Sequence, residues 1–162
     1  MNGQRSKNKS VSGWSPTPIP IVTAALEFAN ADDTDVVYDL GCGDGRVVVR
    51  AARMFGARAV GFDIDRRRIQ QTRARIRQRG VTHLASVRRH DLLSIPTLHE
   101  ATLIYLYLPQ RAVTRLKPVL RNRCRPGTRI VSVGAWFHSW RTRKELMLRT
   151  KKWNWYIGLW KV

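Results

Sequence analysis

Residues 36–46 constrain the fold of this chain more than any other stretch. They read Val-Val-Tyr-Asp-Leu-Gly-Cys-Gly-Asp-Gly-Arg: an apolar run that ends in an acid, three glycines at alternate positions, and the start of a helical pattern. This order predicts a β-strand, a tight turn and a helix N-terminus. The glycines allow positive φ and close approach by a ligand, and the helix start offers unpaired N–H groups. The stretch therefore predicts a ligand-binding turn in an α/β fold; the alternative is an ordinary βα turn whose glycines bind nothing.

Two ligand classes use such a turn, dinucleotides and S-adenosylmethionine. The dinucleotide fingerprint is Gly-x-Gly-x-x-Gly, whereas here the third glycine comes one residue early and Arg46 occupies its place. Asp39 and Asp44 flank the turn, where two carboxylates would repel a pyrophosphate but attract a ligand that carries an ammonium and a sulfonium. The electrostatics therefore favour S-adenosylmethionine as the cofactor.

Length and composition indicate one globular domain. The chain has 162 residues with 43% hydrophobic content, which suits a single core. We expect a disordered basic tail over residues 1–13, which lacks the apolar segment of a secretory signal, and one domain over 14–162. No apolar stretch approaches the roughly 18 residues of a membrane span. Cys42 and Cys124 are the only cysteines and lack metal-type spacing, so we expect no metal, no disulfide and a reducing, cytoplasmic location.

The charge of the chain is its most unusual bulk property. Thirty Lys and Arg stand against eleven Asp and Glu, which gives a net charge of +19. A helix predicted over residues 66–79 carries seven arginines and no acid. This helix is either a solvated face or a surface for nucleic acid or an acidic protein. The alternative explanation for the whole excess is an arginine bias in the coding sequence.

Two further acids follow predicted strands, where an open parallel sheet binds its ligands. Asp63 lies 24 residues after Asp39 at the end of strand 59–65, the spacing at which a carboxylate accepts from two ribose hydroxyls. Asp91 follows strand 85–89 and is placed to accept from an adenine amine; the alternative role is a turn or cap. Asp65 is expected to cap the next helix.

The remaining pattern completes an alternating α/β order. Predicted helices cover residues 21–30, 45–55, 66–79 and 110–123. An apolar central strand is predicted over 101–109 and another over 129–133, and an antiparallel pair over 145–151 and 154–161 closes the domain.

The residues at 37–46, with Gly61-Phe62-Asp63-Ile64 and the order of elements, resemble the class I S-adenosylmethionine-dependent methyltransferases over about residues 15–160. Three further features are similar to the archaeal broad-specificity protein lysine methyltransferases and their mitochondrial relatives that modify the c-ring protein of ATP synthase. These features are Pro16-Thr17-Pro18, a fourth strand ending in Tyr-Leu-Tyr-Leu, and the run 126–132 followed by Trp140. The resemblance implies a Rossmann-like α/β fold: a mostly parallel seven-stranded sheet, helices on both faces and an antiparallel C-terminal strand pair.

The resemblance also implies roles for individual residues. Those expected to bind the cofactor are Thr17, Pro18, Asp39, Gly41, Cys42, Gly43, Asp44, Gly45, Asp63, Ile64, Asp91, Leu92 and Leu106. Those expected to line the acceptor channel are Tyr105, Tyr107, Trp136 and Phe137, of which Tyr105 and Tyr107 are the expected catalytic residues.

The expected reaction is in-line transfer of the sulfonium methyl to a neutral lysine amine. An apolar aromatic slot lowers the pKa of that amine by desolvation, and aromatic faces favour the cationic product. The expected partner is a protein that is acidic elsewhere or associated with nucleic acid, because a +19 enzyme repels a lysine-rich one.

Two other functions remain open. One is an RNA or DNA methyltransferase, although enzymes that methylate base amines typically place Asn/Asp-Pro-Pro-aromatic where this chain has Leu106-Tyr107-Leu108-Pro109. The other is a non-catalytic nucleic-acid-binding protein on the same scaffold, which would not need the intact acids at 39, 63 and 91.

Overall fold

The computed structural model describes residues 16–162, so the predicted tail over 1–13 lies outside the described residues. Four helices and seven strands follow one another in the predicted order. They are α1 (Ile19–Phe28), β1 (Val36–Leu40), α2 (Arg46–Phe55), β2 (Arg58–Asp63), α3 (Arg66–Gln78), β3 (Ala85–Arg89), β4 (Leu103–Leu106), α4 (Gln110–Arg123), β5 (Arg129–Val133), β6 (Lys144–Arg149) and β7 (Asn154–Lys161).

All seven strands form one sheet in the order β3-β2-β1-β4-β5-β7-β6. The pairs among β1 to β5 are parallel, whereas β7 runs antiparallel to both β5 and β6. The predicted architecture, a mostly parallel sheet closed by an antiparallel pair, is confirmed. β1 and β4 are neighbours in the sheet although β2 and β3 separate them in the chain. The order in which successive strands are added to the sheet therefore reverses between β1 and β4, and open parallel sheets bind their ligands at such a point.

Hydrophobic residues pack on both faces of the sheet. Buried residues of α1, α2 and α3 cover one face, where Leu26, Val48 and Ile76 belong to the same cluster. Buried residues of α4, including Leu116, pack with Trp160 of β7 on the other face. The helices therefore lie on both sides, as predicted, and the sheet edge that carries the strand ends stays accessible.

The central strand is shorter than predicted. The apolar run 101–109 predicted a long strand, but β4 ends at Leu106. The pairing of β4 with both of its neighbours ends at the same level: the last register pairs join Leu106 to Leu40 of β1 and to Ser132 of β5. Tyr107 and the two residues after it therefore leave the sheet and are available to a site at its edge.

The first helix begins two residues earlier than predicted. Pro18 is its N-cap and Pro20 lies in its first turn, where a missing N–H costs nothing.

Both cysteines are free and buried. Within residues 16–162, no helix combines the length and apolar character needed to cross a bilayer.

Candidate functional site

A cleft of about 840 Å³ opens where the parallel strands end. Its walls include the segment before α1, the glycine turn after β1, the end of β2, the loop after β3, the segment that follows β4 and the end of β5, with residues of α3 and α4. Most of the predicted cofactor residues line it, namely Thr17, Gly41, Cys42, Gly43, Asp44, Asp63, Ile64, Asp91 and Leu92, together with the predicted acceptor residue Tyr107.

The glycine turn has the backbone that its sequence predicts. Gly41, Gly43 and Gly45 all have positive φ, at 92°, 53° and 78°. Gly45 is the N-cap of α2 and has no side chain to cap it. A Cβ at Gly45 would lie 2.5 Å from Cγ2 of Thr72 on α3, so neither the conformation nor the space admits another residue. The turn is thereby held against α3 beside the cleft.

Asp39 lies in β1, two residues before this turn, and is not among the residues that line the cleft. Its side chain is 3% exposed, and its Oδ2 atom has no hydrogen-bond partner among the described residues. Burial, followed by the charges of Asp63 and Asp44, raises the pKa of Asp39 well above its ordinary value. A buried carboxyl oxygen without a donor is costly, and a ligand cation or N–H group would relieve that cost.

Asp63 is held in place by backbone N–H groups from two sides. Its Oδ2 accepts from Gly43 N at 3.0 Å, and its Oδ1 accepts from Asp65 N at 3.0 Å. Each carboxylate oxygen can accept a second hydrogen bond. The arrangement therefore fixes the orientation of a carboxylate at the cleft wall and leaves acceptor capacity for a ligand diol.

Asp44 differs from the expectation that it faces a ligand as a bare charge. Its oxygens accept from Arg46 and from Arg75, with Nη2 of each guanidinium 2.8 Å from Oδ2. Burial by itself raises the pKa of Asp44, but the hydrogen bonds and charge of Arg46 and the charge of Arg75 outweigh it, so the pKa falls below its ordinary value. Asp44 is thus an ion-paired residue, and its neutralised charge would contribute little to the repulsion of a pyrophosphate.

Arg46 is a site residue that the sequence pattern did not single out. Besides pairing with Asp44, it donates from Nη1 to the Thr17 carbonyl at 2.8 Å. Thr17 is buried and lines the cleft, whereas Pro18 is exposed and lies outside it. Arg46 therefore ties the segment before α1 to the glycine turn. The signal available in the sequence was an arginine two residues after an acid at a helix start.

Replacing Arg46 tests this connection. In Arg46→Ala, the Thr17 segment loses its anchor and Asp44 loses its bidentate partner. Because charge-assisted bonds each contribute about 1.5–3 kcal/mol, we expect S-adenosylhomocysteine affinity, measured by calorimetry, to fall at least tenfold. The matched control is Arg50→Ala on the same helix, which removes a bond to Thr23 Oγ1 of α1. An equal loss in the control would mean that α2 had merely loosened.

Asp91 and Leu92 lie on the cleft wall after β3. Asp91 is exposed, and its Oδ1 accepts from Leu93 N at 3.0 Å. The alternative role of Asp91, capping a turn, is thus present. The hydrogen bond to Leu93 N engages one carboxylate oxygen, and the other oxygen is still placed to accept from a ligand amine at the cleft wall.

The acceptor side of the cleft contains fewer predicted residues than expected. Tyr107 lines it and packs against Trp155 with ring centroids 6.0 Å apart. Tyr105 is 1% exposed and does not line it, and its hydroxyl has no hydrogen-bond partner within residues 16–162. Burial raises the pKa of Tyr105 above its ordinary value, so the hydroxyl stays protonated. Leu106 is buried in the core beneath.

Trp136 and Phe137 lie away from the cleft. Phe137 is 2% exposed and packs edge-on against Trp140 and Trp160, and Trp136 also packs against Trp160. Gln110 fixes the backbone of Trp136 by two hydrogen bonds. Neither aromatic residue is among those that line the cleft. Phe137 lies in the core on the α4 face and the half-buried Trp136 packs against that core, so their role as acceptor walls stays a prediction.

Comparison with known proteins agrees with this geometry. The chain matches the family model described as the ANTKMT methyltransferase domain over residues 39–144. It is 36% identical over 140 residues to a protein-lysine N-methyltransferase of Saccharolobus islandicus (strain REY15A), an alignment that covers 86% of each chain. It is 27% identical over 117 residues to a ribosomal protein L11 methyltransferase of Dechloromonas aromatica (strain RCB), covering 71% of this chain and 38% of that protein.

A solved structure supplies the link to the cofactor. The chain is similar to an RNA methyltransferase from Salinibacter ruber in complex with S-adenosyl-L-homocysteine, with a TM-score of 0.84 and 37% identity over 91% of this chain and 94% of that one. The family model, the fold and the strand-end carboxylates lead to the same conclusion: the chain belongs to the ANTKMT methyltransferase domain family and is an S-adenosylmethionine-dependent methyltransferase.

Proposed function

We propose that this enzyme methylates the side-chain amine of lysine in a protein substrate. The observation that carries the proposal is the apolar segment after β4, where Tyr107, Leu108 and Pro109 line the cleft. The identity to the Saccharolobus islandicus lysine methyltransferase, 36% over most of both chains, supports the same acceptor.

The polar side of the cleft fits the cofactor residue by residue. The unpartnered Oδ2 of Asp39 suits an ammonium, since a buried carboxylate gains most from an opposite charge. Asp63 would accept from the ribose hydroxyls and Asp91 with Leu92 would bind the adenine, while the turn from Gly41 to Gly45 brings its backbone close to the ligand. The cofactor supplies a methyl group on a positively charged sulfur.

The apolar side would prepare the acceptor. A lysine amine has an ordinary pKa of about 10.4 and reacts only after losing its proton. Tyr107, Leu108 and Val133 line an apolar part of the cleft, where desolvation would lower the pKa of an amine. The Tyr107 ring also offers its face to the cationic product. In this proposal positioning and desolvation do most of the catalytic work.

An RNA acceptor is the second candidate, and one observation favours it. The similar Salinibacter ruber structure is described as an RNA methyltransferase, and the net charge of +19 suits a polyanion. Against it stands the end of β4, which offers the cleft Tyr107 and Leu108 where a base amine would need a polar side chain and carbonyl.

Labelling separates the two acceptors. The enzyme is incubated with tritiated S-adenosylmethionine and a bacterial lysate, with or without nuclease, and the labelled material is resolved by electrophoresis and peptide mass spectrometry. We expect label on protein bands, on lysine, and none with Asp39→Asn. Label that disappears with nuclease and follows the RNA would replace lysine by an RNA acceptor.

The buried free cysteines support a reducing compartment as the place of action, and we propose the cytoplasm.

A further inference from the structure

The hairpin that joins β6 to β7 stands beside the mouth of the cleft. Because β7 runs antiparallel to β5, its first residues lie at the edge where the parallel strands end. Gly134 connects the two features: it lines the cleft and donates from its N–H to the Tyr156 carbonyl at 2.8 Å. The hairpin tip, residues 150–153, therefore projects from the catalytic edge of the sheet.

The tip combines exposed aromatic surface with positive charge. Trp153 is 69% exposed and Tyr156 is 51% exposed. Arg149, Lys151 and Lys152 are exposed around them. No acid occurs anywhere from residue 146 to residue 162, so no carboxylate of this segment offsets the three cations.

The tip is also held in one conformation. Thr150 N donates to the Trp153 carbonyl at 3.0 Å, and Trp153 N donates to Thr150 Oγ1 at 3.0 Å. The Thr150 hydroxyl further donates to the Trp153 carbonyl at 2.7 Å. These bonds fix the backbone of a residue whose large side chain packs little against the rest of the molecule. The backbone of such a residue is preorganised for a partner, since less backbone ordering entropy remains to be lost on binding.

We propose that the β6–β7 tip binds single-stranded nucleic acid, with Trp153 as a stacking platform for a base and Arg149, Lys151 and Lys152 as phosphate contacts. Flat aromatic surface among cations is the combination that binds single strands without sequence preference. An acidic peptide would use the cations and leave the indole face without a matching group. The inference goes beyond the proposed function, because it concerns a nucleic acid bound at the cleft mouth, whichever acceptor is methylated.

Binding is measured by fluorescence anisotropy of the full chain with a labelled oligouridylate at several salt concentrations. Stacking on an aromatic side chain makes a large contribution per base, so we expect Trp153→Ala to weaken binding about tenfold and Trp153→Phe to retain most of it. Lys151→Gln/Lys152→Gln removes two phosphate contacts. It should reduce the slope of log affinity against log salt by about 1.4, at about 0.7 per contact for single strands.

A double variant on α3 provides the matched control. Arg73→Gln/Arg77→Gln removes the same charge from exposed positions of the arginine-rich helix and should change affinity less than the tip variants. If the α3 variant loses binding and the tip variants keep it, the site lies on α3 and the proposal is wrong.

Three other outcomes would also overturn it: duplex RNA bound as tightly as the single strand, binding only to poly-glutamate, or binding only to phosphatidylglycerol vesicles. Circular dichroism confirms that each variant is folded. Because no methyl transfer is measured, failure here is separate from failure of the lysine assignment.

Discussion

Asp39→Asn is expected to remove cofactor binding without destabilising the free protein. The substitution keeps the size of the side chain and removes a buried carboxyl group whose Oδ2 has no partner within the described residues and whose negative charge would pair with a bound cation. Losing one partner of a buried charge pair costs about 2–5 kcal/mol, so calorimetry should show S-adenosylmethionine affinity lowered by at least about 30-fold. When no ligand is present, ionisation of this carboxyl opposes folding, because the desolvation of the charge is not offset.

The raised pKa of Asp39 predicts the direction in which the stability of the wild type, relative to Asp39→Asn, changes with pH. The pKa of Asp39 is raised well above 3.8 by burial and by the Asp63 and Asp44 charges, so the folded state holds that proton more tightly than the unfolded state. The stability of the wild type therefore falls, relative to Asp39→Asn, as pH rises from about 3.8 to the raised pKa. Above that pKa the difference between the two proteins is constant.

Thermal denaturation across pH measures this difference, with Glu145→Gln on exposed β6 as the control for loss of one negative charge. Binding of a cation beside Asp39 should also release a proton, which calorimetry in buffers of different ionisation enthalpy detects. A variant that bound cofactor as the wild type does would contradict the assignment of Asp39.

Gly45→Ala is expected to produce the largest loss of stability among the substitutions considered. The residue has φ of 78°, and its new Cβ would lie 2.5 Å from Thr72 Cγ2 and 2.9 Å from Thr72 Oγ1. Left-handed strain and overpacking each cost about 1–3 kcal/mol, so urea unfolding should show a loss of about 3 kcal/mol. Moving Thr72 would also disturb its hydrogen bond to the Gly43 carbonyl and hence the cofactor turn.

Gly80→Ala separates the two causes of that loss. Gly80 has φ of 68°, but no atom lies within 4 Å of the position its Cβ would take. It should therefore show the conformational cost alone, about 1–2 kcal/mol. Equal losses at the two positions would mean that Thr72 yields freely and that the turn is less tightly packed than its geometry indicates.

Local patterns in the sequence were sufficient for most of the fold. The strand over 129–133 and the helix over 110–123 match their predicted bounds, because apolar spacing and flanking turn residues define both. The end of β4 was not predictable in the same way. Its apolar run continues to Pro109, and only the level at which β1 and β5 stop pairing determines that Tyr107 leaves the sheet.

Within the site, positions at strand ends were predictable and side-chain partners were not. Asp63 and Asp91 line the cleft, because each lies at or just after the end of a parallel strand, whereas Asp39 is buried within β1. The pairing of Asp44 with Arg75 joins residues 31 positions apart, which no local pattern reveals. The loop after β5 turns back where Ser132 Oγ donates to the Ala135 carbonyl, and Phe137, two residues further on, is buried in the core.

The position of β7 between β5 and β6 has a consequence during synthesis on the ribosome. β6 leaves the exit tunnel first, yet the neighbour that attaches it to the sheet is made afterwards. Until β7 emerges, β6 has no strand to pair with, and Gly134 lacks the Tyr156 carbonyl that steadies one wall of the cleft. A nascent chain should therefore acquire cofactor affinity abruptly and late, when β7 has left the exit tunnel.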